Sequence, residues 1–167
     1  MTRDTAVDAA ALPIRPLTPD DLDLVCHHRH AMFLEAGKDP EDLARMTPAF
    51  RAWLAPRLND GSYFGFVAMD GERPVAGIGL MEIAWPPHPL HPDQERRGYV
   101  LNVYVEPAYR QRGLAHALMK WADNAFSARG LHYAVLHATD MGRPLYERLG
   151  WSQTTEMAKA VQTGRDG

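Results

Sequence analysis

A single cysteine, Cys26, among 167 residues excludes an internal disulfide. It falls in an apolar helical stripe, where a buried structural thiol is expected rather than a nucleophile. No run approaches the roughly 20 apolar residues of a membrane-spanning helix, and the N-terminal segment has no apolar signal core. A cytoplasmic chain with no membrane partner is the expectation. Basic residues are not in excess: 18 Lys and Arg face 21 Asp and Glu, a net charge of −3, which argues against nucleic acid as an obligatory partner. The two commonest phosphate loops are missing as well. There is no pair of glycines with four residues between them followed by Lys and Ser/Thr, and no G-x-G-x-x-G. Metal-ligand spacing is also lacking. His27, His28 and His30 diverge around a helix, since adjacent positions lie about 100° apart, and His88 with His91 has no clear third ligand. No metal is expected.

What remains is of ordinary globular character, with 46% hydrophobic and 23% charged residues, enough for one buried core. A single domain over residues 12–162 is expected between tails at 1–11 and 163–167. Pro13 to Leu17 reads as a strand. Thr18-Pro19-Asp20-Asp21 supplies an N-cap, a first-turn proline and early acids for a helix carrying Leu22, Val25, Cys26, Arg29, Met32 and Phe33 on one face. Gly37 to Asp42 reads as an acidic connector, and Thr47-Pro48 as the start of a second helix with Phe50, Trp53, Leu54 and Leu58 inward. Ser62–Met69 and Pro74–Trp85 form a hairpin about Asp70-Gly71-Glu72-Arg73. The charged, proline-rich loop from Pro86 to Gly98 is long enough to be a functional suspect. Tyr99 to Val105 is a strand, Leu114 to Ala125 an amphipathic helix ending at Gly130, Leu131 to Ala138 a strand and Met141 to Leu149 a helix. Trp151 to Val161 reads as one or two closing strands. The strand–helix–strand unit at 99–138 implies a parallel crossover beside the antiparallel hairpin, hence a mixed α/β sheet with helices on both faces.

Directly behind the strand at 99–105 stands Arg110-Gln111-Arg112-Gly113-Leu114-Ala115. A helix begins there, with unpaired backbone N–H groups and the positive end of its dipole. Two arginines add charge, and Gly113 lets an anion approach the backbone. These are the ingredients of a pyrophosphate cradle.

The pattern R-x-x-G-x-A, the preceding Leu101-Asn102-Val103-Tyr104-Val105-Glu106-Pro107, and Pro144-Leu145-Tyr146-Glu147-Arg148-Leu149-Gly150-Trp151 together resemble the signatures of the GCN5-related N-acetyltransferase (GNAT) superfamily over residues 99–151. The resemblance implies a mostly antiparallel, twisted sheet of six or seven strands flanked by about four helices, with a splayed parallel pair in the middle. It implies acetyl-CoA as cosubstrate and a small-molecule or peptide amine as acceptor, and leaves a homodimer open. Arg110, Gln111, Arg112, Gly113, Leu114 and Ala115 would hold the pyrophosphate, with His116 adjacent. Val103, Tyr104 and Val105 would offer backbone groups to the pantetheine arm. Tyr146 matches the family's acid for the departing thiolate, a role its phenol suits. The proton acceptor is open among Glu82, His137, Asn102 and a water chain, with Glu82 placed first. Asp140 is expected to cap the last helix. Acids at Glu35, Asp39, Glu41 and Asp42 hint at a cationic acceptor, though a solvated connector explains them equally. The acceptor site is expected to be bordered by the 85–98 loop and the 33–42 connector. A non-catalytic acyl-CoA-binding regulatory module and an unrelated nucleotide-phosphate binder are the competing readings. Tyr146 speaks against the first, and the missing phosphate-loop residues against the second.

Overall fold

The computed structural model describes residues 11–164, so the expected tails lie outside the described residues except for Ala11, Thr163 and Gly164. In chain order the elements are β1 (Ile14–Pro16), α1 (Leu22–Glu35), α2 (Pro40–Asp60), β2 (Tyr63–Asp70), β3 (Arg73–Ala84), β4 (Arg96–Val105), α3 (Leu114–Ala128), β5 (Ala134–Leu136) and α4 (Arg143–Arg148). Residues up to His137 form one compact unit and those from Ala138 a second.

The first unit holds one sheet in the order β1-β2-β3-β4-β5. All neighbours are antiparallel except β4 and β5, which run parallel over Gly98–Val100 and Ala134–Leu136. The β2–β3 hairpin turns at Gly71, whose φ of 59° suits the first central position of a two-residue hairpin loop. Alternation along β2 separates two faces. Tyr63 meets Trp53 of α2, whereas Phe64 and Phe66 meet Phe126 and Trp121 of α3. On the α1–α2 side Val25, Cys26, Phe50, Leu54, Leu58 and Tyr63 form a buried cluster. On the other, Gly98 is required because a Cβ there would lie 2.9 Å from the Phe126 ring.

Three expectations need correction. The second helix does not start at Thr47-Pro48. It starts at Pro40, where the Asp39 side chain accepts from the Glu41 N–H, and runs through Pro48 and Pro56. An interior proline costs about 3 kcal/mol. Burial of Leu43, Phe50, Leu54 and Leu58, at about 1.5–3 kcal/mol each, offsets both. The sheet has five strands among the described residues, fewer than six or seven, because Trp151–Gly164 adds none. That segment has only two large aliphatic residues, Met157 and Val161, both exposed, and so has no alternating face to bury. The strand after the proline-rich loop begins at Arg96, which shortens the loop to residues 85–95.

In the second unit the bend before α4 is bonded by Thr139, whose Oγ1 accepts from the Gly142 N–H at 3.2 Å, rather than by Asp140. The helix closes with Gly150 at φ 92°. The Trp151 N–H bonds the Tyr146 carbonyl and the Gly150 N–H bonds that of Glu147. This is a Schellman cap, which explains the glycine in L-Y-x-x-L-G.

Candidate functional site

The loop before α3 is shaped by two residues in the left-handed region, Gln111 (φ 60°) and Gly113 (φ 82°). A chain folded in this way tends to aim successive N–H groups at a common point. Gly113 is the N-cap and no side chain caps it. The first amide of the helix to bond backwards is Ala117, to the Gly113 carbonyl. The N–H groups of Leu114, Ala115 and His116 are therefore the unpaired ones of a helix start. Arg112 is exposed, lies over the Tyr109 ring at 5.6 Å and has no acidic partner among the described residues. His116 is also exposed. Uncapped amides, a glycine and a free guanidinium fit a pyrophosphate.

Arg110 departs from its expected role. Its Nη2 contacts both Glu35 oxygens at 2.8 Å and its Nε donates to the Val105 carbonyl. Its side chain thus ties the loop to α1, and its backbone N–H bonds the Pro107 carbonyl. The same contacts, with Tyr104 Oη donating to Glu35, take Glu35 out of any acceptor role. Asp39 caps α2 and Asp42 pairs with Arg45, so these acids are structural too.

Beyond Val100 the parallel ladder stops, and Leu101–Val105 have only β3 beside them. Along this stretch β4 carries one extra residue: Gly77 and Gly79 oppose Tyr104 and Leu101. The extra residue accommodates Asn102 at φ 54°, a conformation that Asn tolerates better than most. Its buried amide accepts from Arg29 Nη1 at 2.9 Å and donates to Tyr63 Oη at 2.9 Å. With both ends engaged, Asn102 holds the bulge and is not free to position a water. A Cβ on Gly79 would lie 1.9 Å from the Tyr63 hydroxyl, so that glycine makes room for the network.

Beside the bulge opens a cleft of about 480 Å³, lined by Arg29 from α1, Phe50 and Trp53 from α2, Met81 and Ile83 from β3 and Tyr99 from β4, among others. No carboxylate lines it, and neither the 85–95 loop nor the 33–42 connector contributes. The loop is instead fastened elsewhere. Arg97 is sandwiched between Trp85 and Tyr133 and hydrogen-bonded to buried His91, and Gln94 bonds the Gly130 carbonyl.

Glu82, placed first as proton acceptor, sits on the opposite face. Met81 and Ile83 line the cleft, so Glu82 between them faces α3, where Arg96 and Arg129 bind its carboxylate. Although burial pushes the other way, those guanidiniums hold its pKa below the usual carboxylate range. It is a paired anion turned away from the cleft and a weak base. His137 is better placed: its Nδ1 shares a hydrogen bond with Tyr99 Oη, at the cleft wall. The three early histidines separate as expected, His27 to Glu106, His30 to Thr47 and His28 into the interior. Among the described residues no group of three potential ligands could hold a metal ion. Burial raises the Cys26 thiol pKa, which disfavours the thiolate. In the second unit, Tyr146 on α4 is half-buried, and burial raises its phenol pKa, keeping it protonated.

Sequence reasoning missed Arg29. It was counted as part of an apolar stripe, and that position was itself the available signal: a guanidinium among core residues.

The model of the Acetyltransferase (GNAT) family matches residues 24–151. A GCN5-related N-acetyltransferase from Ralstonia eutropha JMP134 is 60% identical, with a TM-score of 0.89 over 90% of this chain and 99% of that one. A predicted acetyltransferase from Clostridium acetobutylicum, solved with acetyl-CoA, is 23% identical, with a TM-score of 0.82 over 90% and 96%. The ribosomal-protein-alanine N-acetyltransferase of Brucella melitensis biovar Abortus 2308 is 22% identical, with a TM-score of 0.64 over 92% and 100%. No curated protein matches the chain. Among the described residues no helix is long and apolar enough to cross a membrane. With the family model spanning most of its length, this chain belongs to the GNAT acetyltransferase family.

Proposed function

We propose that this chain transfers the acetyl group of acetyl-CoA directly to a primary amine of a small molecule or peptide, without an acyl-enzyme. The observation that carries the reading is the uncapped α3 N-terminus behind left-handed Gln111 and Gly113, with Arg112 unpaired beside it. Its chemistry fits the cosubstrate found in the Clostridium structure. Backbone amides of residues 111–116 and the Arg112 guanidinium bind the pyrophosphate, and the open edge at Val103–Val105 receives the pantetheine amides.

The amine lone pair forms the C–N bond at the thioester carbonyl, and the C–S bond breaks. Tyr146 supplies a proton to the departing thiolate. The proton shed by the amine passes to His137 by way of Tyr99, whose hydroxyl shares a hydrogen bond with the His137 Nδ1. Cys26, buried and protonated, takes no part.

Tyr146→Phe keeps the ring and removes only the hydroxyl. Acetyl transfer, read as CoA thiol release against an amine panel, is expected to fall by about 10²–10⁴. Acetyl-CoA affinity by calorimetry is expected to hold, because the group acts in the transition state. A variant at full rate removes Tyr146 as the acid, whereas a native protein that binds acetyl-CoA but releases no thiol with any amine is the non-catalytic acyl-CoA module.

A further inference from the structure

The acceptor cleft carries one full charge, and it is positive. Arg29 projects from α1 into a wall of Phe50, Trp53, Met81 and Ile83. Its guanidinium lies 4.9 Å from the centre of the Phe33 ring and 4.6 Å from that of Phe50. Its hydrogen-bond partner is the neutral Asn102 amide, and among the described residues its buried Nε has no acceptor and no carboxylate pairs with it. Of the other arginines on or against α1 and α2, Arg110 pairs with Glu35 and Arg51 with Asp23, while Arg57 lies over the Trp53 ring and donates to the Trp53 carbonyl. Arg29 is the one guanidinium that lines the cleft, left with aromatic faces and an amide. A guanidinium cannot discharge itself, so the charge stays in a largely apolar surrounding and lacks its natural counterpart, a carboxylate held by two N–H groups.

Resting on the acetyl-transfer reading, we infer that the acceptor is an amphipathic amino acid: an amine with a neighbouring carboxylate that pairs with Arg29 and an apolar side chain that fills the Phe50–Trp53–Met81–Ile83 wall. The cleft volume suits a single small molecule. Glu35, Asp39 and Asp42 are committed elsewhere and neither they nor Glu41 line the cleft, so an ammonium ion would find no counter-charge here. Tyr99, on the same wall and bonded to His137, stands where the amine sheds its proton.

The test needs no mutation at its first step. L-Phenylalanine, L-leucine and L-methionine are each compared with their amides and with phenethylamine, reading CoA thiol release and, separately, calorimetric binding to protein saturated with CoA. The free acids are expected to have KM and Kd at least tenfold lower than the amides, and Arg29→Gln is expected to erase that ratio while acetyl-CoA affinity holds. Arg29→Lys is expected to restore part of it. If Arg29 merely braces Asn102, its substitution lowers Tm and leaves the acid-to-amide ratio unchanged, which overturns the inference. Amides or phenethylamine equal to or better than the acids overturn it as well, while the transfer reading survives. No transfer to any amine defeats the transfer reading, and the acid-to-amide binding ratio still decides what Arg29 recognises.

Discussion

Asn102→Ala removes a side chain that satisfies two neighbours and tolerates a left-handed backbone. The Tyr63 hydroxyl is 1% exposed and would lose its donor, which costs about 1–3 kcal/mol when no water can reach it. Arg29 would lose an acceptor but borders the cleft, where water can replace it, so about 1 kcal/mol is a fair charge. Alanine at φ 54° adds about 1–2 kcal/mol of backbone cost. The expected loss is roughly 4 kcal/mol, large against a total stability of about 5–15 kcal/mol. Asn102→Gly removes the backbone cost alone and is expected to lose about 1–2 kcal/mol less. Adding Tyr63→Phe to Asn102→Ala removes the stranded hydroxyl, so the double variant is expected to be more stable than the sum of the singles by about 1–2 kcal/mol. Urea unfolding of the native protein, the three single variants and the double variant measures all of these. Equal losses for Ala and Gly, with strict additivity for the Tyr63 pair, would refute the account of the bulge as a satisfied left-handed network.

Two further outcomes follow from buried and paired charge. His28 is 2% exposed, packs against Tyr104 and His27, with Glu106 bonded to His27, and its pKa is lowered by burial to about 4. Because the folded value lies below the ordinary 6.5, the unfolded chain binds the proton first. Stability is therefore intact above about pH 6.5 and is lost as pH falls toward 4, by up to roughly 3 kcal/mol. Urea midpoints at pH 7.5 and 4.5 should differ less in His28→Gln than in the native protein, and an equal difference would contradict the buried neutral imidazole. Glu82→Gln breaks the pairs with Arg96 and Arg129 on the α3 face. It is expected to leave kcat/KM within about twofold and to change stability by no more than about 1 kcal/mol, as for partly exposed ion pairs. A fall of a hundredfold in kcat would restore Glu82 as the base.

Local signals gave the anion loop, the hairpin at Gly71 and the glycine ends of α3 and α4, because each rests on residues within one turn of chain. Asp39-Pro40 was an equally local helix start, but the competing Thr47-Pro48 obscured it. Only the burial of Leu43, Phe50, Leu54 and Leu58 decides between one helix with two interior prolines and two shorter ones. Closing strands were read from composition alone, without an apolar alternation to hold them.

The sequence by itself determined the family, the order of elements as far as α4 and the turn at Gly113 that starts α3, since backbone geometry, glycine freedom and helix ends are properties of neighbours in the chain. Tertiary structure decided which charges are spent. Arg110 and Glu35, 75 residues apart, cancel each other, and Glu82 turns to the far face by the two-residue alternation of β3. Arg29 alone is left facing an apolar cleft, paired only with an amide 73 residues away. A charge is satisfied or stranded by its neighbours in space, and no local pattern specifies those.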